Sequence, residues 1–225
     1  MNDHDNAMRL HHCEDARSFR PLWMLEELEC RYELVILPFP PRVHRREYLQ
    51  LNPLGTVPLF SHGDLRMTES AAICQYLADM NSPTSLRVSS EEPDYGRYLN
   101  WLYFGEATLT FPQTISLRYS SLEPPERRQP QVALDYSIWF KARLGAVERA
   151  LADGRAYLCA GRFTAADVSV GYALKLAARR GFDFDKVDNT QRYWMRLQER
   201  AGYRRAMHRQ AAAMSEQRVA ATSVF

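Results

Sequence analysis

Apolar residues change their period twice in the first third of the chain and then hold one period to the end. From Met8, MRLHH reads as a short strand. SFRPLWMLEEL sets Leu22, Leu25 and Leu28, with Trp23, on one helical stripe. Pro21 falls in the first turn after Ser18, where a missing N–H costs little. YELVILPF predicts a buried strand, Tyr32 to Leu37, closed by the breakers of PFPPR. Beyond it HRREYLQL predicts a short basic helix, TVPLF a strand, SHGD a turn and LRMT a further strand. ESAAICQYLADM then predicts a helix with Ala72, Tyr76 and Met80 on one face. Strands and helices in this order predict a small α/β domain with a mixed four-stranded sheet over residues 8–81.

Residues 82–92, within NSPTSLRVSSEEPDYG, carry serines and prolines without sustained periodicity and read as a linker. Past them the strand pattern is gone. YGRYLNWLYFGEATLTFPQTISLRY, QVALDYSIWFKARLGAVERALA, TAADVSVGYALKLAARR and TQRYWMRLQERAGYRRAM all carry the helical period, which predicts an all-α domain over residues 93–213. The last ten or so residues are expected to fray. In GRFTAADVSV, Thr164 and Asp167 have the spacing of a reciprocal capping box, with Phe163 and Val168 at the staple positions. Asp167 reads there as a structural cap, with a general base as the alternative.

Composition narrows the picture. A chain of 225 residues, 46% hydrophobic and 12% aromatic, has material for one large or two modest packed domains. A formal charge of +2 lacks the basic excess of a nucleic-acid binder, so no nucleic-acid partner is expected. No apolar run approaches the roughly 20 residues that span a bilayer, and MNDHDNAM is too polar for a secretory signal. The expectation is a cytoplasmic protein with no membrane partner. Cys13, Cys30, Cys74 and Cys159 show no C-x-x-C pairing, which suits a reducing compartment. His11, His12 and Cys13 are adjacent but lack metal-ligand spacing and a second cluster, so no metal is expected.

Two short stretches carry chemistry. In NPLGTVPLF a proline interrupts a strand, where it cannot donate to the ladder. If the bond before Pro58 is cis, Val57 turns its N–H and C=O outward, and an extended peptide-like ligand can pair with that edge. If it is trans, Pro58 shields the edge. In TES, Glu69 and Ser70 stand at a helix start, which favours a bound carboxylate, while Glu69 can accept from an ammonium group. The alternative is that Thr68 caps the helix and Glu69 complements its dipole.

NPLGTVPLF followed by MTESAAICQYLA, after ARSFRPLWMLEEL and before FTAADVSV, resembles a cytosolic glutathione transferase of bacterial type. The match runs over nearly the whole chain in the right order. It implies a thioredoxin-like domain followed by an all-helical domain, a homodimer, and glutathione as cosubstrate. By position, Val57 gives the cysteinyl backbone of glutathione two hydrogen bonds and Pro58 is the family's cis proline. Glu69 and Ser70 hold the γ-glutamyl end, and Thr56 faces the glycyl end.

The family activates the thiol with Tyr, Ser or Cys near the end of the first strand, and this chain has Ala16 where many bacterial relatives have serine. Ser18 is the nearest hydroxyl and reads either as the thiolate's donor or as a helix cap. Arg17 and Arg20 share its turn, and a guanidinium can lower a thiol pKa. The other reading of these arginines, above all Arg20, is surface solvation or a salt bridge to Glu14 or Asp15. His12 reads as a structural histidine. Trp101, Phe104 and Phe111, with Tyr103 and Tyr119 as polar candidates, either line an acceptor pocket in the helical domain or belong to its core.

The resemblance implies conjugation of the thiol to a small hydrophobic electrophile, as in detoxification. Isomerisation, lysis or ether cleavage by the same thiolate is the alternative. Ala16 also keeps open a noncatalytic glutathione-binding or partner-recruiting dimer.

Overall fold

MRLHH is paired along both of its edges, and that makes it an inner strand of the sheet. In the structure, a computed structural model that describes residues 7–184 and 186–221, β1 (Met8–His12) runs parallel to β2 (Tyr32–Ile36) and antiparallel to β3 (Leu59–His62). β3 turns through Gly63 into β4 (Leu65–Met67), giving the strand order β2-β1-β3-β4. The parallel pair is joined by α1 (Phe19–Glu27), and α3 (Ser70–Met80) follows β4. The expected basic helix is two pieces, α2 (Pro41–His44) and a tighter turn over Arg46–Gln50, because Arg45 leaves helical conformation at φ −143°. The strand expected from Thr56 begins only at Leu59, past Pro58. On α3, Met80 is exposed and the core-facing side is Ser70, Ile73, Cys74 and Leu77, so the stripe Ala72–Tyr76–Met80 is the outer one.

Two compact units divide between Thr84 and Ser85, inside the expected linker. The C-terminal boundary differs from expectation. The pattern over 190–207 is two helices, α8 (Asp188–Gln198) and α9 (Ala201–Glu216), separated by the extended Arg200 at ψ 137°. α9 belongs to the first unit, so the helical domain ends near Leu197 and not at 213. Helix continues to Glu216, into the stretch expected to fray, while residues 222–225 lie outside the described part.

The docking of α9 is specific. Tyr203 meets Trp23 and Phe19 of α1 edge-on, with ring centroids 5.0 and 5.8 Å apart. Arg200 Nε and Nη2 each donate to the Glu27 carboxylate at 2.8 Å, and Trp23 Nε1 donates to the same carboxylate at 2.9 Å. A Cβ at Gly202 would overlap the Glu27 side chain, so glycine there leaves that carboxylate room to hold Arg200 and Trp23. Just past the helix, the Gln217 amide accepts from Ile36 N–H at 2.9 Å and donates to Leu34 C=O at 2.7 Å. It thereby covers the open edge of β2.

The second unit is helical. α4 (Tyr95–Tyr103) and α5 (Phe111–Leu117) form one long rod whose bonding widens to i→i+5 over Phe104–Thr110. Pro112 follows that widened turn and has no N–H for a regular ladder. Thr110 Oγ1 instead donates to Gly105 C=O at 2.7 Å. Gly105 also lets α7 (Ala165–Arg179) come close: a Cβ there would overlap Ser169, whose hydroxyl donates to Leu102 C=O at 2.6 Å. α6 (Pro130–Ala150) caps α8 with Glu148, which accepts from both N–H groups and both side chains of Asn189 and Thr190. Leu86 and Val88 of the expected linker are buried, and Leu86 C=O accepts from Ala165 N–H at 2.9 Å.

Thr164 and Asp167 form the capping box of α7, with Thr164 N–H donating to Asp167 Oδ2 at 2.8 Å and Phe163 and Val168 both buried. Asp167 Oδ1 also accepts from Leu158 N–H at 3.0 Å and Tyr193 O–H at 2.8 Å. Asp167 thus ties α7 to α8 as well as starting it.

Candidate functional site

The first unit carries an open stretch of main chain. Tyr48 O–H and Asn52 Nδ2 hold the Thr56 carbonyl at 2.7 and 2.8 Å, fixing the chain just before Val57. The Val57 side chain joins a buried cluster with Cys13, Ala16, Leu37, Tyr48 and Leu59. Its N–H and C=O have no hydrogen-bond partner among the described residues. The Val57–Pro58 bond is cis. A fixed residue with both main-chain groups unpaired suits pairing to an extended ligand. Thr56 beside it is exposed.

At the start of α3, Glu69 occupies the cap position with φ −90° and ψ 111°, and its side chain makes no cap bond. Thr68 is not the cap residue. The Glu69 carboxylate is exposed, while Ser70 is buried. Ser70 Oγ accepts from Arg20 Nη1 at 3.1 Å, and Arg20 is fully buried. A hydroxyl whose lone pair is taken by a guanidinium keeps its proton for an incoming anion. Surface solvation therefore does not describe Arg20; it is a buried cation beneath the α3 N-terminus. The signal was available in FRPLWML, since a helix whose residues Phe19 to Leu25 are all buried leaves no outer face for an arginine.

The turn between β1 and α1 resolves the role of Ser18. Gln210 Oε1 accepts from Asp15 N–H at 3.1 Å, and Gln210 Nε2 donates to Asp15 Oδ1 at 3.1 Å. A main-chain N–H can only donate and a carboxylate only accept, so the amide orientation is fixed. His12 Nε2, 2.8 Å from the same Oε1, must then be a donor. In the neutral ring Nδ1 is therefore the acceptor, and Ser18 O–H donates to it at 2.7 Å. Cys13 N–H approaches the remaining Ser18 lone pair at 3.4 Å. Ser18 is fully buried, and in the neutral-ring state its proton is directed to His12, which makes it a link between the end of β1 and the start of α1. His12 is structural as read.

Ala16 brings no hydroxyl to the Val57 cluster. Burial pushes the Cys13 thiol up to about 12, which removes it as a nucleophile near neutral pH. At the start of α1, Phe19 and Arg20 N–H are taken by Ala16 and Arg17 carbonyls at 2.8 and 3.2 Å, and Pro21 has none. Ser18 N–H is left without a partner among the described residues. Arg17 is half-buried in the same turn.

In the second unit, Trp101 and Phe104 pair edge-on with centroids 5.0 Å apart. Phe111 pairs with Tyr136 of α6 at 6.3 Å, and Tyr136 in turn with Trp139 at 5.1 Å. The three aromatic positions expected to act together thus fall into two clusters. Tyr103 is exposed. Among the described residues no group of His, Cys, Asp and Glu is placed to hold a metal ion, and no helix is long and apolar enough to cross a membrane.

Family models for the glutathione S-transferase N-terminal and C-terminal domains match residues 8–79 and 140–207. The first interval contains the open main chain, Glu69, Ser70 and the β1–α1 turn. Glutathione S-transferase hmp2 of Hypomyces subiculosus is 30% identical over 195 residues, covering 80% of this chain and 89% of that protein. Glutathione S-transferase 3 of Schizosaccharomyces pombe is 35% identical over 103 residues, covering 44% of this chain and 41% of that protein. Glutathione S-transferase 1 of maize is 44% identical over 69 residues, covering 30% of this chain, so the matched stretch spans only 32% of that relative. A glutathione transferase structure from Methylococcus capsulatus has TM-score 0.81 at 25% identity, covering 92% of this chain and all of that one. Ure2p in complex with glutathione has TM-score 0.79 at 20% identity over 90% of this chain and 98% of that one, a likeness of fold.

Proposed function

Because the chain belongs to the glutathione S-transferase family, we propose that it binds glutathione on its first unit and activates the thiol for attack on a small hydrophobic electrophile. The observation that carries this reading is the unpaired N–H and C=O of Val57, held rigid from Thr56. Those two groups bond the cysteinyl main chain of glutathione, as a strand bonds a strand. The γ-glutamyl end reaches α3, where Ser70 donates to its carboxylate and Glu69 accepts from its ammonium. Thr56 faces the glycyl end. This layout sets the cysteinyl sulfur toward Ala16 and the start of α1.

There the thiol loses its proton to solvent, and Arg17 with the Ser18 N–H stabilises the thiolate electrostatically. The thiolate forms a C–S bond at the electrophilic carbon, and the leaving group departs with its electron pair. The protein acts as a cytoplasmic homodimer in detoxification.

A second reading, a noncatalytic glutathione-binding dimer, is favoured by Ala16 together with the committed proton of Ser18. Titration with glutathione, followed by ultraviolet titration of the bound thiol, separates the two. Lowering of the thiol pKa on binding supports the transferase. Binding without it favours the second reading, and no binding at millimolar glutathione sinks both.

A further inference from the structure

The turn that would face the thiol is held from the far end of the chain. Asp15 adopts a left-handed conformation at φ +52°, uncommon for a residue with a side chain though aspartate and asparagine take it more readily than most. Gln210, 195 residues away on α9, grips that residue twice, at its N–H and at its carboxylate, both at 3.1 Å. The same amide oxygen takes the His12 proton at 2.8 Å and so directs the other face of the ring to Ser18 at 2.7 Å. All four side chains are buried. One amide thereby fixes both ends of the segment that carries Ala16 and Arg17.

We propose that Gln210 is a positioning residue for the thiol-binding turn, its amide holding Asp15 in the left-handed conformation that aims Arg17 and the Ser18 N–H at the glutathione sulfur. The part concerning sulfur rests on the functional reading above; the part concerning the turn does not. α9 is on this proposal a component of the active site that acts through Asp15 and His12. The expected signature is therefore in the thiol's acidity and in kcat, with KM for the acceptor little changed.

The test uses three full-length variants. Gln210→Glu keeps an acceptor for Asp15 N–H and His12 but sets two carboxylates against each other. Asp15→Asn with Gln210→Glu restores a donor facing an acceptor at the same place, and asparagine tolerates the left-handed conformation. Asp15→Asn alone leaves the Gln210 donor satisfied.

Hydrogen exchange without ligand reads the turn. In Gln210→Glu the amides of Asp15 to Ser18 exchange at least about tenfold faster, and the double exchange restores them. With glutathione bound, the thiol pKa in Gln210→Glu rises by about one unit, roughly a tenfold loss of thiolate below it, and returns in the double variant. Unchanged exchange in Gln210→Glu overturns the clamp. A loosened turn with an unmoved thiol pKa, or a double variant that regains stability but neither signature, overturns the positioning role. Failure of the wild-type protein to bind glutathione sinks the functional reading, and the assignment to sulfur with it, whatever the exchange shows.

Discussion

Arg20 and Ser70 meet in the interior of the first unit, guanidinium to hydroxyl at 3.1 Å, joining the first turn of α1 to the first turn of α3. A buried arginine holding a hydroxyl by its lone pair leaves that hydroxyl one direction in which to donate. Arg20→Met removes the cation and frees the hydroxyl to rotate. The expected outcome is about a tenfold loss of glutathione affinity by calorimetry, the size of one hydrogen bond to a charged group. The thiol pKa of what still binds moves little. Unchanged affinity in a folded variant would separate Arg20 from the ligand.

Glu69 makes the opposite kind of case, since its exposed carboxylate has no part in capping α3. Glu69→Ala should leave the melting temperature nearly unchanged, within about ±0.5 kcal/mol for an exposed site. Glutathione affinity should fall by about tenfold or more, because a charge-assisted hydrogen bond to the ammonium is lost. A stability loss with affinity intact would return Glu69 to a structural role.

Ser18 and Arg17 adjoin in sequence and should separate in experiment. Ser18→Ala leaves His12 Nδ1 buried without its partner, at a cost of about 1–3 kcal/mol in urea unfolding. It should move the bound thiol pKa less than Arg17→Ala, which takes away the cation of that turn. The reverse order of effects would reinstate the hydroxyl as the thiolate's donor.

Asp167 carries a pH signature. Burial lifts its carboxyl from 3.8 to about 6, against the hydrogen bonds from Leu158, Thr164 and Tyr193 that favour the charged form. The folded state therefore binds this proton more tightly than the unfolded state. The group's contribution to stability is fully present below about pH 3.8 and is lost as pH rises through about 6. Thermal melts between pH 4 and 7 should show this decline in the wild type relative to Asp167→Asn, in which nothing titrates there. Parallel profiles for the two proteins would contradict it. Glu148 works in the other direction: burial raises its pKa, but the bonds from Asn189 and Thr190 more than offset this and leave it lowered.

How much of this was legible depended on distance along the chain. The Thr164–Asp167 box was readable because a cap is made by residues three apart. The strands and α1 were readable because period is a local property. The open main chain at Val57 was readable as one of two alternatives, since proline restricts its own neighbourhood. Ser18 was not, because its proton is assigned by His12, whose ring is assigned by an amide that arrives from α9. The break at Arg200 was hidden for a different reason: its extended ψ leaves the helical period on either side intact. The burial of Arg20 was missed because charge was weighed without asking whether the surrounding helix had any outer face.

The return of α9 to the first unit also orders the events of synthesis. On a ribosome, β1, α1 and α3 emerge together, but Tyr203, which packs edge-on against Phe19 and Trp23 of α1, follows only with α9. Between Thr84 and Gln198, elongation at about 5–20 residues per second delays that contact by on the order of ten seconds. Among the described residues, the second unit has all of its chain before the first does. A chain stopped ahead of Ala201 would hold the described residues of the helical unit while the first unit still lacked the ring that packs on Phe19 and Trp23.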